Sequence, residues 1–266
     1  MSQKRTLSDE VRDWFERTGL PLELDTVASF RKAGFSVEHS SIYADPQHDK
    51  GREIDVIAYS RDPTGLVQIY VVAECKASKQ PWVVLVDKQT PSGVTFASMG
   101  VSTEFTKKSV TPDFLHTRSD VGFLLRNLHT NGYALRQAFS KDHDPAYAAA
   151  MSAMNAAIAI AGNESSSMPR LRFVLPVIVV DAPIVECSLG IDGSLSFEEI
   201  AFSEFLFTAY LPDRTSAVIR VISAEALPSQ AIRLANLANA VKEALKPVVD
   251  QKIDEWRARQ KQRRSD

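Results

Sequence analysis

Asp55, Glu74 and Lys76 are the residues of this chain whose types and spacing could do chemistry. Glu74 and Lys76 interrupt an otherwise apolar, β-branched run at 66–77, and Asp55 sits in the run before it. Alternate residues of an extended strand share a face, so Glu74, Lys76 and Ser78 line one side while Cys75 points away, and Glu53 and Asp55 share a side of the preceding strand. A hairpin turning at 63–66 would pair Asp62 with Val67, and the same register sets Asp55 opposite Glu74. On one face their Cβ atoms would lie about 5 Å apart. Two carboxylates that close repel in a half-buried strand unless a cation lies between them. Hard oxygen donors without a thiolate or histidine cluster favour Mg²⁺ or Mn²⁺, with waters completing the shell. A metal-bound water of lowered pKa is a nucleophile. Lys76 reaches the same space, and because flanking carboxylates raise its pKa, it suits neutralising charge on a phosphate better than taking a proton.

The elements that must position these residues are readable from periodicity. Ser8 suits the N-cap of a first helix, with Asp9 and Glu10 at its positive end and Gly19 as its stop. Pro21 fits the first turn of a second helix that carries Glu23 near its start and runs to Gly34. Three extended runs follow at 35–44, 53–60 and 66–77, a meander, with a fourth at 82–86. The Ser/Thr/Gly-rich stretch 90–112 reads as a loop and possible lid, and 113–140 as partly helical. Residues 145–161 form an alanine- and methionine-rich helix whose stripe is core packing. Residues 172–180 are a strand buried on both faces, parallel to an earlier one after the helical crossover. Further strands are expected at 205–211 and 217–223, then a final helix with Pro228 in its first turn and a kink or restart at Pro247.

The order of a helix with Glu23, then REID around Asp55, then ECK from Glu74 to Lys76, resembles the PD-(D/E)XK or restriction endonuclease-like nuclease superfamily, especially uncharacterised bacterial members. Those members carry a PLE helix, a YxDP-like strand end (here Tyr43, Asp45, Pro46), REID and ECKxSxxPW (Glu74 to Trp82). The likeness covers about residues 20 to 86. It implies an α/β fold with a restriction endonuclease-like core of helix, three strands, helix and strand on a mixed central sheet. It also implies Mg²⁺-dependent hydrolysis of phosphodiester bonds, of DNA rather than RNA. Asp55, Glu74 and the backbone carbonyl of Cys75 would hold the metal, Glu23 would complete the shell directly or through water, and Lys76 would act on the nucleophile. Ser78, Lys79, Gln80 and Trp82 follow closely enough to contact substrate or brace Lys76, and Gln137, placed on a middle helix, parallels an accessory polar residue. Ile54 stands where the family name has proline.

The chain of 266 residues, 31 basic against 33 acidic, with a formal net charge of −2, excludes a protein that coats nucleic acid by bulk charge, so phosphate contacts must be local. One domain over 1–266 is expected, with an insertion at about 88–145 and a helical extension at about 226–266. Cys75 and Cys187 form neither a disulfide framework nor a zinc pattern and should be buried and inert in a reducing compartment; the absence of a signal-like or spanning apolar run points to the cytoplasm and away from a membrane. The histidines lack zinc spacing, so His39 and His48 read as exposed. The basic tail WRARQKQRRSD reads as a solvated helix face. A homodimer would suit two cuts across a duplex, though no pattern marks an interface. The alternative is a catalytically inactive nuclease-fold module that binds nucleic acid or protein.

Overall fold

The computed structural model describes residues 5–44, 51–88, 99–110, 132–140, 144–162, 170–210 and 213–262. Helix α1 (Leu7–Phe15) starts two residues earlier than Ser8 would allow, because Thr6 and Asp9 form a reciprocal capping box: the Asp9 N–H donates to Thr6 Oγ1 and the Asp9 carboxylate accepts from the Thr6 N–H at 3.0 Å. Gly19 is the cap of the next helix, α2 (Leu20–Lys32), and Pro21 lies in its first turn. Leu22, Val27 and Phe30 face the core, and α2 ends before Gly34, whose φ of +95° favours glycine.

The meander is present as β1 (Ser36–Ala44), β2 (Gly51–Arg61) and β3 (Val67–Lys76), paired antiparallel in sequence order. Its second turn has the expected register. The Asp62 N–H donates to Val67 O at 3.0 Å, Asp62 Oδ1 accepts the Val67 N–H at 2.7 Å, and Gly65 supplies the positive φ that the loop needs. Strand β4 (Trp82–Val86) follows.

The described part of the stretch read as a lid is instead built into the core. Met99 is buried, β5 (Val101–Ser102) pairs with a central strand, and α3 (Glu104–Ser109) is capped by Thr103. Gly100 is required there, since a Cβ would stand 2.4 Å from the Val174 carbonyl oxygen. Residues 89–98 and 111–131, which hold most of the region read as partly helical, lie outside the described residues. The end of that region is a strand, β6 (Gly132–Gln137), so Gln137 is not on a helix.

Helix α4 (Pro145–Gly162) crosses the sheet, as its small side chains allow, and leads to β7 (Leu171–Val180), which is buried at every residue and runs parallel to β3. A hairpin that period reading overlooked follows, β8 (Ile184–Leu189) and β9 (Leu195–Ile200), then β10 (Phe202–Ala209) and β11 (Thr215–Ser223). Its outer strand is almost wholly exposed, so it carries little hydrophobic alternation to read. Helix α5 (Leu227–Gln262) continues through Pro247 as one element. Leu234, Leu237, Val241 and Leu245 bury one side of it, and that packing outweighs the single backbone bond a proline removes. No described helix is long and apolar enough to cross a membrane.

The result is an α/β protein with one large mixed sheet, ordered β1-β2-β3-β7-β11-β10-β6-β4-β8-β9 with β5 beside β7. Helices α2 and α5 cover one face over Val56, Val71, Ala73 and Val177, and α4 covers the other over Val72, Val174, Ile178 and Ile219. A buried ion pair ties β10 to β11: Arg220 Nε meets Glu204 Oε1 at 2.9 Å, and Arg220 also donates to the Met99 carbonyl. Removing only the acid would strand a buried guanidinium. We expect Glu204→Ala to lower stability by about 3–5 kcal/mol, read as a drop in urea midpoint with an unchanged slope.

Candidate active site

The site forms where β2 and β3 part. Their ladder runs from Arg61↔Gln68 to Val56↔Ala73, so Asp55 and Glu74 are the next residues in register. On β3 the alternation is as read from the sequence. Val71, Ala73 and Cys75 face α2, where the Cys75 thiol donates to Thr26 Oγ1 at 3.5 Å, and Val72 and Glu74 face α4.

Strand β2 departs from that alternation at Asp55. Val56 and Ala58 pack toward α2, yet Ile54 and Ile57, three apart, both join the cluster under α4. On β1 the pairing breaks at the same point: it holds from Ser36↔Tyr59 to His39↔Val56 and resumes, in unchanged register, at Ser41↔Ile54. Ser40, which stands across from Asp55, takes a φ of +53°, a strained value for a non-glycine residue. Asp55 is therefore opposite Glu74 in register, but its carboxylate is turned into the plane of the sheet. There Oδ2 accepts the Cys75 N–H at 2.7 Å, in place of a β2 carbonyl. The Lys76 carbonyl accepts from Asp181 N on the β7 side, so the backbone of Cys75, its neighbour, points to the β2 side. The N–H and C=O of one strand residue point the same way, and the Cys75 carbonyl is directed at the gap that Asp55 borders.

Around this gap the charges do not balance. Glu74 is held from two sides, by Ser152 Oγ–H of α4 donating to Oε2 at 2.7 Å and by Lys76 Nζ at 2.5 Å from Oε1. Burial and then the charge of Glu74 raise the Asp55 carboxyl above its ordinary range, against the opposing Cys75 N–H and Lys76. Glu23 reaches the site from the first turn of α2. Its carboxyl is raised by burial first, then by Asp55 and Glu53, with Lys76 opposing. Burial works against the Lys76 ammonium, but Glu74 and then Asp55 outweigh it, so the amine is held above its usual value and stays protonated. Burial also pushes the Cys75 thiol up to about 12, so it is inert; Cys75 and Cys187 are both half-buried rather than buried.

Among the described residues no three His, Cys, Asp or Glu side chains converge as a ready metal cage. The donor set is instead two strand carboxylates and a carbonyl, with Glu23 behind. That set fits a hard cation that keeps several waters, and burial first, then neighbouring carboxylates, raise the Asp55 and Glu23 carboxyls in its absence.

The other expected residues divide. Ser78 is half-buried and accepts from the Gln80 N–H at 3.2 Å and from Gln137 Nε2 at 2.6 Å, so Gln137 meets the motif from a strand. Lys79 and Gln80 are exposed and free to meet a ligand. Trp82 is fully buried in the second core cluster and cannot touch substrate. His39 is exposed on the edge strand, whereas His48, Asp45 and Pro46 fall outside the described residues. Tyr43 is buried under α4. Sequence reasoning missed Ser152. Its signal was faint: Ser152 and Asn155 are the only small polar side chains between Tyr147 and Gly162 in a run that otherwise reads as packing.

Compared with protein families, curated proteins and solved structures, the chain matches none.

A carboxyl raised on folding stabilises the folded state only while protonated, so in metal-free protein Asp55 increasingly opposes folding as pH climbs through its raised value. Asp55→Asn keeps the acceptor for the Cys75 N–H and removes the charge. In EDTA at neutral pH this variant should melt roughly 2–4 °C above wild type for each kcal/mol relieved, and the gap should close in acid.

Proposed function

We propose that this protein is a metal-dependent phosphodiesterase acting on nucleic acid, DNA rather than RNA, built on a restriction endonuclease-like core. The observation that carries the reading is the gap between β2 and β3, where Asp55, Glu74 and the Cys75 carbonyl converge beside a protonated Lys76 and an uncompensated Glu23. The order α2, β1, β2, β3, α4, β7, with β7 parallel to β3, supports the same core.

Each side chain has a role that its geometry suits. Asp55 is anchored by the Cys75 N–H through one oxygen, leaving the other for Mg²⁺ or Mn²⁺. Ser152 fixes the rotamer of Glu74 from the helix side, and Glu23 closes the site from the opposite layer, directly or through water. When bound, the cation would supply a water of lowered pKa and polarise a phosphoryl oxygen. Lys76 carries the positive charge that meets a phosphate as negative charge accumulates on it, and its protonation argues against a role as general base. Lys79, exposed just beyond the motif, extends that charge toward solvent.

Purified protein should nick plasmid DNA in Mg²⁺ or Mn²⁺ and stop in EDTA, with Lys76→Ala and Asp55→Asn slower by on the order of 100-fold. Equal rates in wild type and both variants would assign the cutting to a contaminant. Mg²⁺ should raise the melting temperature of wild type and leave Asp55→Asn unmoved. Tight DNA binding with no metal effect would point to an inactive binding module instead.

Ser152→Ala removes the hydroxyl that holds Glu74, and should weaken apparent Mg²⁺ affinity and rate by roughly 10–100-fold. Ser152→Thr, which restores the donor, should recover most of the loss in a metal titration of the cutting rate.

A further inference from the structure

Two non-glycine residues among those described hold a positive φ, Ser40 beside the candidate site and Phe139 next to the loop that follows it. Ser40 stands opposite Asp55. Phe139, with a φ of +61°, lies two residues beyond Gln137, whose side chain grips Ser78 just after Lys76, and the intervening Ala138 N–H is tied to the Pro81 carbonyl at 2.9 Å. The backbone at Phe139 is thus clamped to the motif loop in a conformation that a bulky side chain adopts at a cost. The ring is left 78% exposed. Among the described residues, no packing repays the backbone strain of this aromatic side chain. By chain reach it lies within roughly 25 Å of Lys76.

The surroundings narrow what it could meet. On the other side of the start of β4, where Trp82 pairs with Ile184, Asp181, Glu199 and Glu225 line a cleft of about 600 Å³, which disfavours phosphate close by. Charge there works against a backbone-tracking groove, and the edge offers a nucleic acid an uncharged aromatic plane, with the exposed Lys79 toward the active site. Stacking on such a plane requires a base that is not paired within a duplex.

We propose that Phe139 is a stacking platform for an unpaired nucleobase a few nucleotides from the scissile phosphate, so that the substrate is single-stranded or locally opened nucleic acid. The proposal rests on the nuclease reading above and adds a strand preference to it.

The test uses the full chain in EDTA, with fluorescence anisotropy on a short labelled single strand and on the same sequence as a fully paired hairpin. Phe139→Ala should weaken single-strand binding by about tenfold to a hundredfold, Phe139→Trp should retain it, and hairpin binding should not change. Phe139→Gly should lose binding while raising the melting temperature, because glycine accepts the positive φ without strain. Opposite signs on binding and stability separate a ligand platform from a structural prop. Phe139→Gly melting below wild type, or Phe139→Ala binding the single strand like wild type, overturns the platform and leaves the nuclease reading standing. Wild type that neither binds nor cuts any nucleic acid overturns both.

Discussion

A buried backbone N–H must find an acceptor, and at Cys75 that acceptor is a side chain. Along most of the β2–β3 hairpin each strand satisfies the other. At Asp55 the strands separate, and the carboxylate replaces the missing carbonyl. This substitution lets the sheet open without leaving an orphaned donor, which would cost about 1–3 kcal/mol. It also keeps Asp55 at the opening, with one oxygen committed to the backbone and its charge felt by Glu74, Lys76 and Glu23.

The rest of the architecture makes that opening possible. On the far side of β3, the fully buried β7 pairs with it from Val67 to Lys76, so β3 stays straight where β2 leaves it. Above and below, α2 and α4 bring Glu23 and Ser152 to opposite sides of the same gap. The alanine-rich surface of α4 brings Ser152 within reach of Glu74, since bulkier side chains would hold the helix farther from the sheet. Charge adds to the steric design. Burial, and then the neighbouring carboxylates, raise the proton affinity of Asp55 and Glu23, and Lys76 compensates only in part.

The strained residues fit this account. Ser40 lets β1 pass the point where β2 changes its facing, and Phe139 closes the turn that follows Gln137. Strain of this kind persists only where the surrounding bonds over-determine it. Here those bonds are the resumed pairing of Ser41 with Ile54 and the clamp between Ala138 and Pro81.

Much of the site was determined locally and could be read from sequence. The turn at 63–66 sets the hairpin register through Asp62 and Gly65, and register alone places Asp55 opposite Glu74, because strand pairing has a period of two and a known loop length. The buried strand β7 and its parallel pairing followed from an unbroken apolar run after a helix. What sequence could not determine were features that depend on contacts between distant segments. The turn of the Asp55 carboxylate into the sheet plane goes with the broken pair opposite Ser40, and the grip of Ser152 on Glu74 joins residues 78 apart in the chain. The β8–β9 hairpin and β6 lack a readable period because their outer faces meet solvent or neighbours that only the folded sheet supplies. Trp82, next to the motif in sequence, became core because β4 carries it away between β6 and β8, and an adjacent position in the chain says nothing about which side of a sheet a residue will face.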